Sequence, residues 1–161
     1  MSLLKEVKAL FGDPSAKGDL FEDYVLDLFP DNVFGAIHIT PRSSELNGRK
    51  VESQNEPDFQ FRHKPTDHKF WVECKFRADL YQGKIAWSKP WQLAKYKEFQ
   101  EAHRPEKMFV VIGFGGRSSR PEEMYCIPLD EIQYPALYPS AIAKYRRPTD
   151  KEFWYSGGKL F

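Results

Sequence analysis

At 161 residues the chain suits one domain with one core. Apolar residues make up 41% and charged residues 29%, an ordinary globular balance, and apolar runs such as Phe109 to Phe114 fall far short of the ~20 residues a membrane span needs. The net charge of +1 excludes recognition of a polyanion by overall charge, so any nucleic-acid partner has to be held by local basic patches.

Leu3, Leu4, Val7, Leu10 and Phe11 recur at helical spacing and predict a first amphipathic helix. Lys5 and Lys8 lie in that pattern without the apolar block and cleavage site of a signal peptide, so a cytoplasmic location is the default expectation. Gly12-Asp13-Pro14 interrupts the pattern, with Asp13 as cap and Pro14 at the first position of a second helix. That helix carries Leu20, Phe21, Tyr24, Val25 and Leu28 and stops near Pro30. A short strand is expected around Val33 to Thr40, and the polar, turn-rich residues 41–56 read as a mobile loop. Two strands follow, Pro57 to Arg62 and Lys69 to Arg77, joined by a polar hairpin loop. Trp91 to Ala102 reads as a helix with Ser88 as a candidate cap. Lys107 to Phe114 is a buried strand ending in Gly115-Gly116, and Glu123 to Pro128 is another. Leu129 to Ile132 starts a short helical turn, and Phe153-Trp154-Tyr155 is a candidate edge strand. This order gives an α/β class with a mixed sheet.

Alternation in the two central strands carries the chemistry. Phe70, Val72, Cys74 and Phe76 form one apolar face, while Trp71, Glu73, Lys75 and Arg77 form the other. Phe59 and Phe61 point to the core, so Asp58, Gln60 and Arg62 share the opposite face. Matching the apolar faces puts Asp58, Glu73 and Lys75 on one side of the sheet. A hairpin symmetric about its loop pairs Arg62 with Lys69 and sets Asp58 directly opposite Glu73. Directly opposed residues have Cβ atoms about 4.5–5.5 Å apart, and like charges there are destabilising. A divalent cation offsets that repulsion, and carboxylates are hard oxygen ligands suited to Mg²⁺, with Mn²⁺ as a substitute. Lys75, on the same face, is placed to orient an attacking water or to stabilise charge developing on a phosphate. Two acids, a lysine and an implied metal point to hydrolysis of a phosphodiester.

Pro57-Asp58 at the start of one strand and Glu73-Cys74-Lys75 in the next resemble the motif of the PD-(D/E)xK nuclease superfamily. Many members carry a glutamate on the helix preceding the sheet, and Glu22 in Gly18-Asp19-Leu20-Phe21-Glu22 fits that place. RecB-like members place Gln-x-x-x-Tyr on the helix after the ExK strand, and Gln92-Leu93-Ala94-Lys95-Tyr96 matches it. The resemblance covers residues 18–114 and implies a restriction-endonuclease-like core: a central mixed β-sheet flanked by helices, in a single domain over residues 1–161. It implies a Mg²⁺-dependent deoxyribonuclease whose metal is held by Asp58 and Glu73 with help from Glu22. Lys75 then positions the water, and Gln92 and Tyr96 orient substrate or the lysine. DNA is favoured over RNA on the resemblance alone. The DNA form and the choice between endo- and exonuclease stay open. A chain this short leaves little room for a separate sequence-reading domain, so DNA structure, DNA ends or a partner protein would guide it. Two copies would be needed to cut both strands together.

Rival readings are a non-catalytic nucleic-acid-binding module on the same fold and a glycosidase-like pair of carboxylates. The second needs one acid kept protonated, whereas a lysine beside Glu73 favours the ionised form. For Glu73 and Lys75 the structural alternative is a solvated strand face with a cross-strand ion pair. For Glu22 it is an exposed helix acid, and for Gln92 and Tyr96 it is helix packing. Lys84, Lys89, Lys95, Lys97, Arg117, Arg120 and the group Lys144, Arg146 and Arg147 are candidate phosphate contacts, although a solvated surface is the commoner use of such charges. Trp87 and Trp91 are expected in the core, with base stacking as the alternative. The four histidines show no metal-ligand spacing and are assigned no chemistry. Cys74 and Cys126 belong to no metal-spaced pair and are expected as buried reduced thiols.

Overall fold

Asp13 caps the second helix as its place before Pro14 predicts. In the computed structural model, which describes residues 3–42, 45–49 and 56–161, Asp13 Oδ1 accepts the backbone N–H groups of Ser15 and Ala16 at 3.0 and 3.3 Å. Helix α1 (Leu3–Leu10) precedes this cap and α2 (Pro14–Asp27) follows it. The amphipathic spacing of α1 does form a helix, yet no residue of it is buried. Leu3 is 74% exposed and Phe11, just beyond the helix, 86%. Its apolar stripe is therefore not core.

Six strands form the main sheet, in the order β1 (Phe34–Ile39), β2 (Phe59–His63), β3 (His68–Arg77), β5 (Lys107–Arg117), β6 (Arg120–Pro128) and β8 (Arg146–Arg147). Between β3 and β5 the chain passes through β4 (Ile85–Ala86) and helix α3 (Pro90–Ala102), so these two neighbours run parallel. Every other pairing in the sheet is antiparallel. The result is a mixed sheet flanked by helices, an α/β architecture. Among the described residues, no helix is long and apolar enough to cross a membrane.

Each face of the sheet has its own core. On one, Phe70, Val72, Cys74 and Phe76 pack with Phe21, Val25 and Phe29 of the α2 segment. Phe29 is stacked between Phe61 and Phe153, with centroids 4.1 and 4.3 Å away, contacts worth about 0.5–1.5 kcal/mol each beyond simple burial. On the other, Trp71, Val110 and Ile112 pack with Ile85, Trp87 and Leu93. Helix α2 lies very close to the sheet: a Cβ at Gly113 would stand 2.4 Å from the Phe21 ring. Both cysteines are free and buried, as expected.

Several boundaries differ from expectation for local reasons. Strand β5 does not end at Phe114, because Gly115 and Gly116 adopt positive φ within the ladder and carry it to Arg117. Helix α3 starts at Pro90, which makes Lys89 the cap residue and leaves Ser88 one position too early. The predicted edge strand at Phe153-Trp154-Tyr155 reduces to β9 (Tyr155–Ser156), which pairs only with β10 (Lys159–Leu160) in a separate ribbon. A further small ribbon joins β4 to β7 (Ala136–Leu137). Half of the mobile loop expected over 41–56, residues 43–44 and 50–55, lies outside the described residues.

Candidate active site

The hairpin of β2 and β3 has the symmetric register: Arg62 pairs with Lys69 and Phe59 with Val72. Continuing it by one residue carries Asp58 to the level of Glu73. Asp58 stands just outside the ladder, and its side chain takes the place of a backbone partner, Oδ2 accepting the Cys74 N–H at 2.7 Å. Two bonds from Thr40 hold this turn from the other side. Its N–H donates to the Asp58 carbonyl at 2.9 Å and its hydroxyl to the Pro57 carbonyl at 2.5 Å. The Pro-Asp step is thus pinned between β1 and β3.

Glu73 is buried, only 5% exposed, and among the described residues it forms no ion pair. That disposes of the solvated strand face. Its Oε2 accepts the phenolic O–H of Tyr96, which also stacks on Trp87 at 5.9 Å. Tyr96 therefore both packs in the core and orients the acid. Glu22 reaches in from α2, where Arg42 Nε contacts its Oε2 at 2.6 Å and Arg42 Nη2 contacts Asp23 at 2.7 Å. It is no ordinary exposed helix acid. Gln92 lines the same cleft, but its Oε1 accepts the Lys89 N–H at 2.9 Å and so closes the start of its own helix.

Three carboxyls thus meet from three segments, and Asp58 hydrogen-bonds to both Glu73 and Glu22. Burial pushes the Asp58 carboxyl well above its usual range, and the neighbouring charges of Glu73 and Glu22 push the same way. Burial also raises Glu22, partly offset by its hydrogen bond to Asp58 and the Arg42 charge. Burial alone would weaken the Arg42 charge, but the bond to Asp23 and the charge of Glu22 win and raise it.

Lys75 projects from the same face of β3 as Glu73. Among the described residues it makes no hydrogen bond or ion pair, and its Nζ lies 6.0 Å from the centre of the Tyr96 ring. Arg77, two residues on, is occupied differently: it donates to the carbonyls of Phe76, Ala86 and Trp87 at 2.7–3.0 Å. Of the cations on this strand that line the cleft, Lys75 rather than Arg77 is left for a ligand among the described residues. Glu22, Asp58, Glu73, Lys75, Gln92 and Tyr96 all line one open cleft of about 620 Å³.

Among the described residues, no group of three or more His, Cys, Asp and Glu side chains is placed so that it could hold a metal ion as it stands. The donor chemistry nevertheless suits a hard cation. Each carboxylate has one oxygen fixed by a donor from the protein, namely Cys74 N–H, Tyr96 O–H or Arg42. Asp58 lies near enough to both Glu73 and Glu22 for their charges to raise it, and a divalent cation is a species that can offset such crowding at neutral pH.

Two residues of the site escape the sequence reading, and a third is placed differently from its expectation. Thr40 and Arg42 lie beside a polar loop with no periodicity to expose their roles. Trp91 was expected in the core with Trp87, and the structure corrects this. Trp87 is fully buried, its Nε1 donating to the Tyr134 carbonyl at 3.0 Å. Trp91 is 56% exposed and lines the cleft. The reason is helical phase: Leu93, Tyr96 and Gln100 make the inward stripe of α3, and Trp91 stands about 200° around the helix from Leu93. His63 and His68 sit at the far end of the hairpin, bonded to Thr66 and Tyr155 at 2.8 and 3.0 Å. No family model matches the chain, and no match to a curated protein reaches significance.

Proposed function

We propose that this protein is a metal-dependent nuclease that hydrolyses DNA phosphodiester bonds on a restriction-endonuclease-like core. One observation carries the reading: Glu22, Asp58 and Glu73, from separate segments, crowd together in an open cleft that Lys75 also lines. The mixed sheet flanked by helices is what such a core requires.

Asp58 and Glu73, with Glu22, would hold Mg²⁺ or Mn²⁺. When bound, the cation would neutralise charge on the scissile phosphate and increase the acidity of water. The protein's own groups do the rest. Lys75 Nζ, without a hydrogen bond or ion pair among the described residues, orients the attacking water and faces the charge that develops as the P–O bond breaks. Tyr96 fixes the rotamer of Glu73, and Arg42 fixes that of Glu22. Gln92 keeps an amide nitrogen to donate toward substrate after its oxygen has closed the helix. A glycosidase pair fits less well, because its acids stand about 5 Å or more apart, whereas Asp58 and Glu73 hydrogen-bond directly. The reading places the protein in the cytoplasm, where its two free thiols stay reduced, with a homodimer or a partner protein needed to cut both strands at once.

The test is cleavage of single-stranded, double-stranded and branched DNA with Mg²⁺, Mn²⁺ or chelator. Wild type is compared with Lys75→Ala. Metal-dependent cutting that falls about 100-fold or more in the variant is expected. A folded, metal-replete wild type that binds DNA but never cuts it would favour the binding-module reading instead.

A further inference from the structure

The cleft that holds the carboxylates also presents an aromatic surface that the hydrolysis does not use. Trp91 lies at its rim, more than half exposed, on the first turn of α3 beside Gln92. Lys95, one turn on, holds its Nζ 5.4 Å from the centre of the indole and lines the same cleft. Lys17, from α2, lines the cleft as well. Water is a poor neighbour for an indole, and the fold buries the nearby Trp87 completely. Trp91 has no core to fill and stays more than half exposed in a cleft lined by four acids and three lysines.

An open aromatic face flanked by cations in a groove is the arrangement that grips single-stranded nucleic acid. The cations follow the backbone, and the ring stacks on a base whatever its identity. Within a duplex both faces of every base are already covered by neighbours, so such a ring gains nothing from intact double helix. We propose that Trp91 is the stacking platform for an unpaired base, which makes single-stranded or locally unpaired DNA the substrate class of this cleft. The inference rests on the nuclease reading for its substrate, but its test reads binding rather than cutting.

The full chain, with chelator at low salt, is titrated with oligothymidylate and with a blunt duplex of equal length. Binding is followed by anisotropy of a label on the DNA and by intrinsic tryptophan fluorescence. Oligothymidylate is expected to quench wild type and Trp154→Phe, which lacks the other exposed tryptophan, but not Trp91→Phe. Trp91→Ala is expected to weaken oligothymidylate binding about tenfold and duplex binding less than about twofold, with Trp91→Phe retaining most of the affinity. Equal affinity of wild type and Trp91→Ala for the single strand, including binding by neither, overturns the proposal. So does an equal loss on both DNAs, which would mark Trp91 as a general part of the surface. Adding Mg²⁺ separates the two claims. Trp91-dependent binding without cutting keeps the platform and removes the nuclease, whereas cutting of single strands that Trp91→Ala leaves unchanged does the reverse.

Discussion

Two carboxylates on the α3 side of the sheet are treated in opposite ways. Glu106 stands alone: its Oε1 accepts Gln60 Nε2 at 2.7 Å and Trp71 Nε1 at 2.9 Å, two neutral donors for one acid. Glu73, on the same strand as Trp71, receives a single hydroxyl from Tyr96 and shares its space with Asp58, which is bonded in turn to Glu22. Two donors serve one acid at the first position, whereas at the second three acids with one donor each crowd against one another. An acid surrounded by donors ties elements together. Acids crowded against one another make a place that is uncomfortable until something positive arrives.

Replacing one member at each place breaks the comparison most directly. Asp58→Asn keeps an oxygen for the Cys74 N–H but removes a charge. DNA cleavage is expected to fall by about 100-fold or more, while the metal-free variant melts at a higher temperature than wild type. A lower melting temperature would mean that the acids are not in conflict. Glu106→Ala is expected to do the opposite. It leaves the buried Trp71 N–H and the Gln60 amide without their acceptor, so stability falls by about 1–3 kcal/mol in denaturant unfolding, with cleavage per folded molecule retained.

The smallest expected effect is in pH dependence. A carboxyl raised in the folded state holds its proton there after the unfolded chain has released it. The stabilisation from Asp58 is therefore present below its ordinary value of 3.8 and is lost as the pH rises through the raised one. Metal-free wild type should lose stability relative to Asp58→Asn over that rise. Parallel wild-type and Asp58→Asn curves would remove the strain from the account.

Much of the acidic half of this contrast was legible in the chain. Phe59 and Phe61 against Phe70, Val72, Cys74 and Phe76 fix which way Asp58, Glu73 and Lys75 point, and the hairpin register follows from the same alternation. Asp13-Pro14 marks the start of α2 because a cap and a proline have narrow uses. Arg42 was not legible, since its partners Glu22 and Asp23 lie about twenty residues away and a clamp of this kind has no period. Nor was the exposure of Trp91, because composition does not reveal helical phase when a single aromatic stands before the stripe. The bare face of α1 shows the converse limit: spacing predicts a helix, but not what it meets.

Phe21 and Glu22 are adjacent in α2, and the ring of Phe21 occupies the space a side chain at Gly113 would need. How low the helix rides over the sheet, and hence how far the acid on its next residue extends, is gauged by one methyl group that is absent from a neighbouring strand. Positions 21 and 113 are for that reason a matched pair. Evolutionary drift at either has to be answered at the other, and a lineage that enlarged residue 113 without trimming residue 21 would lift Glu22 away from its partners while every residue of the acidic cluster stayed the same.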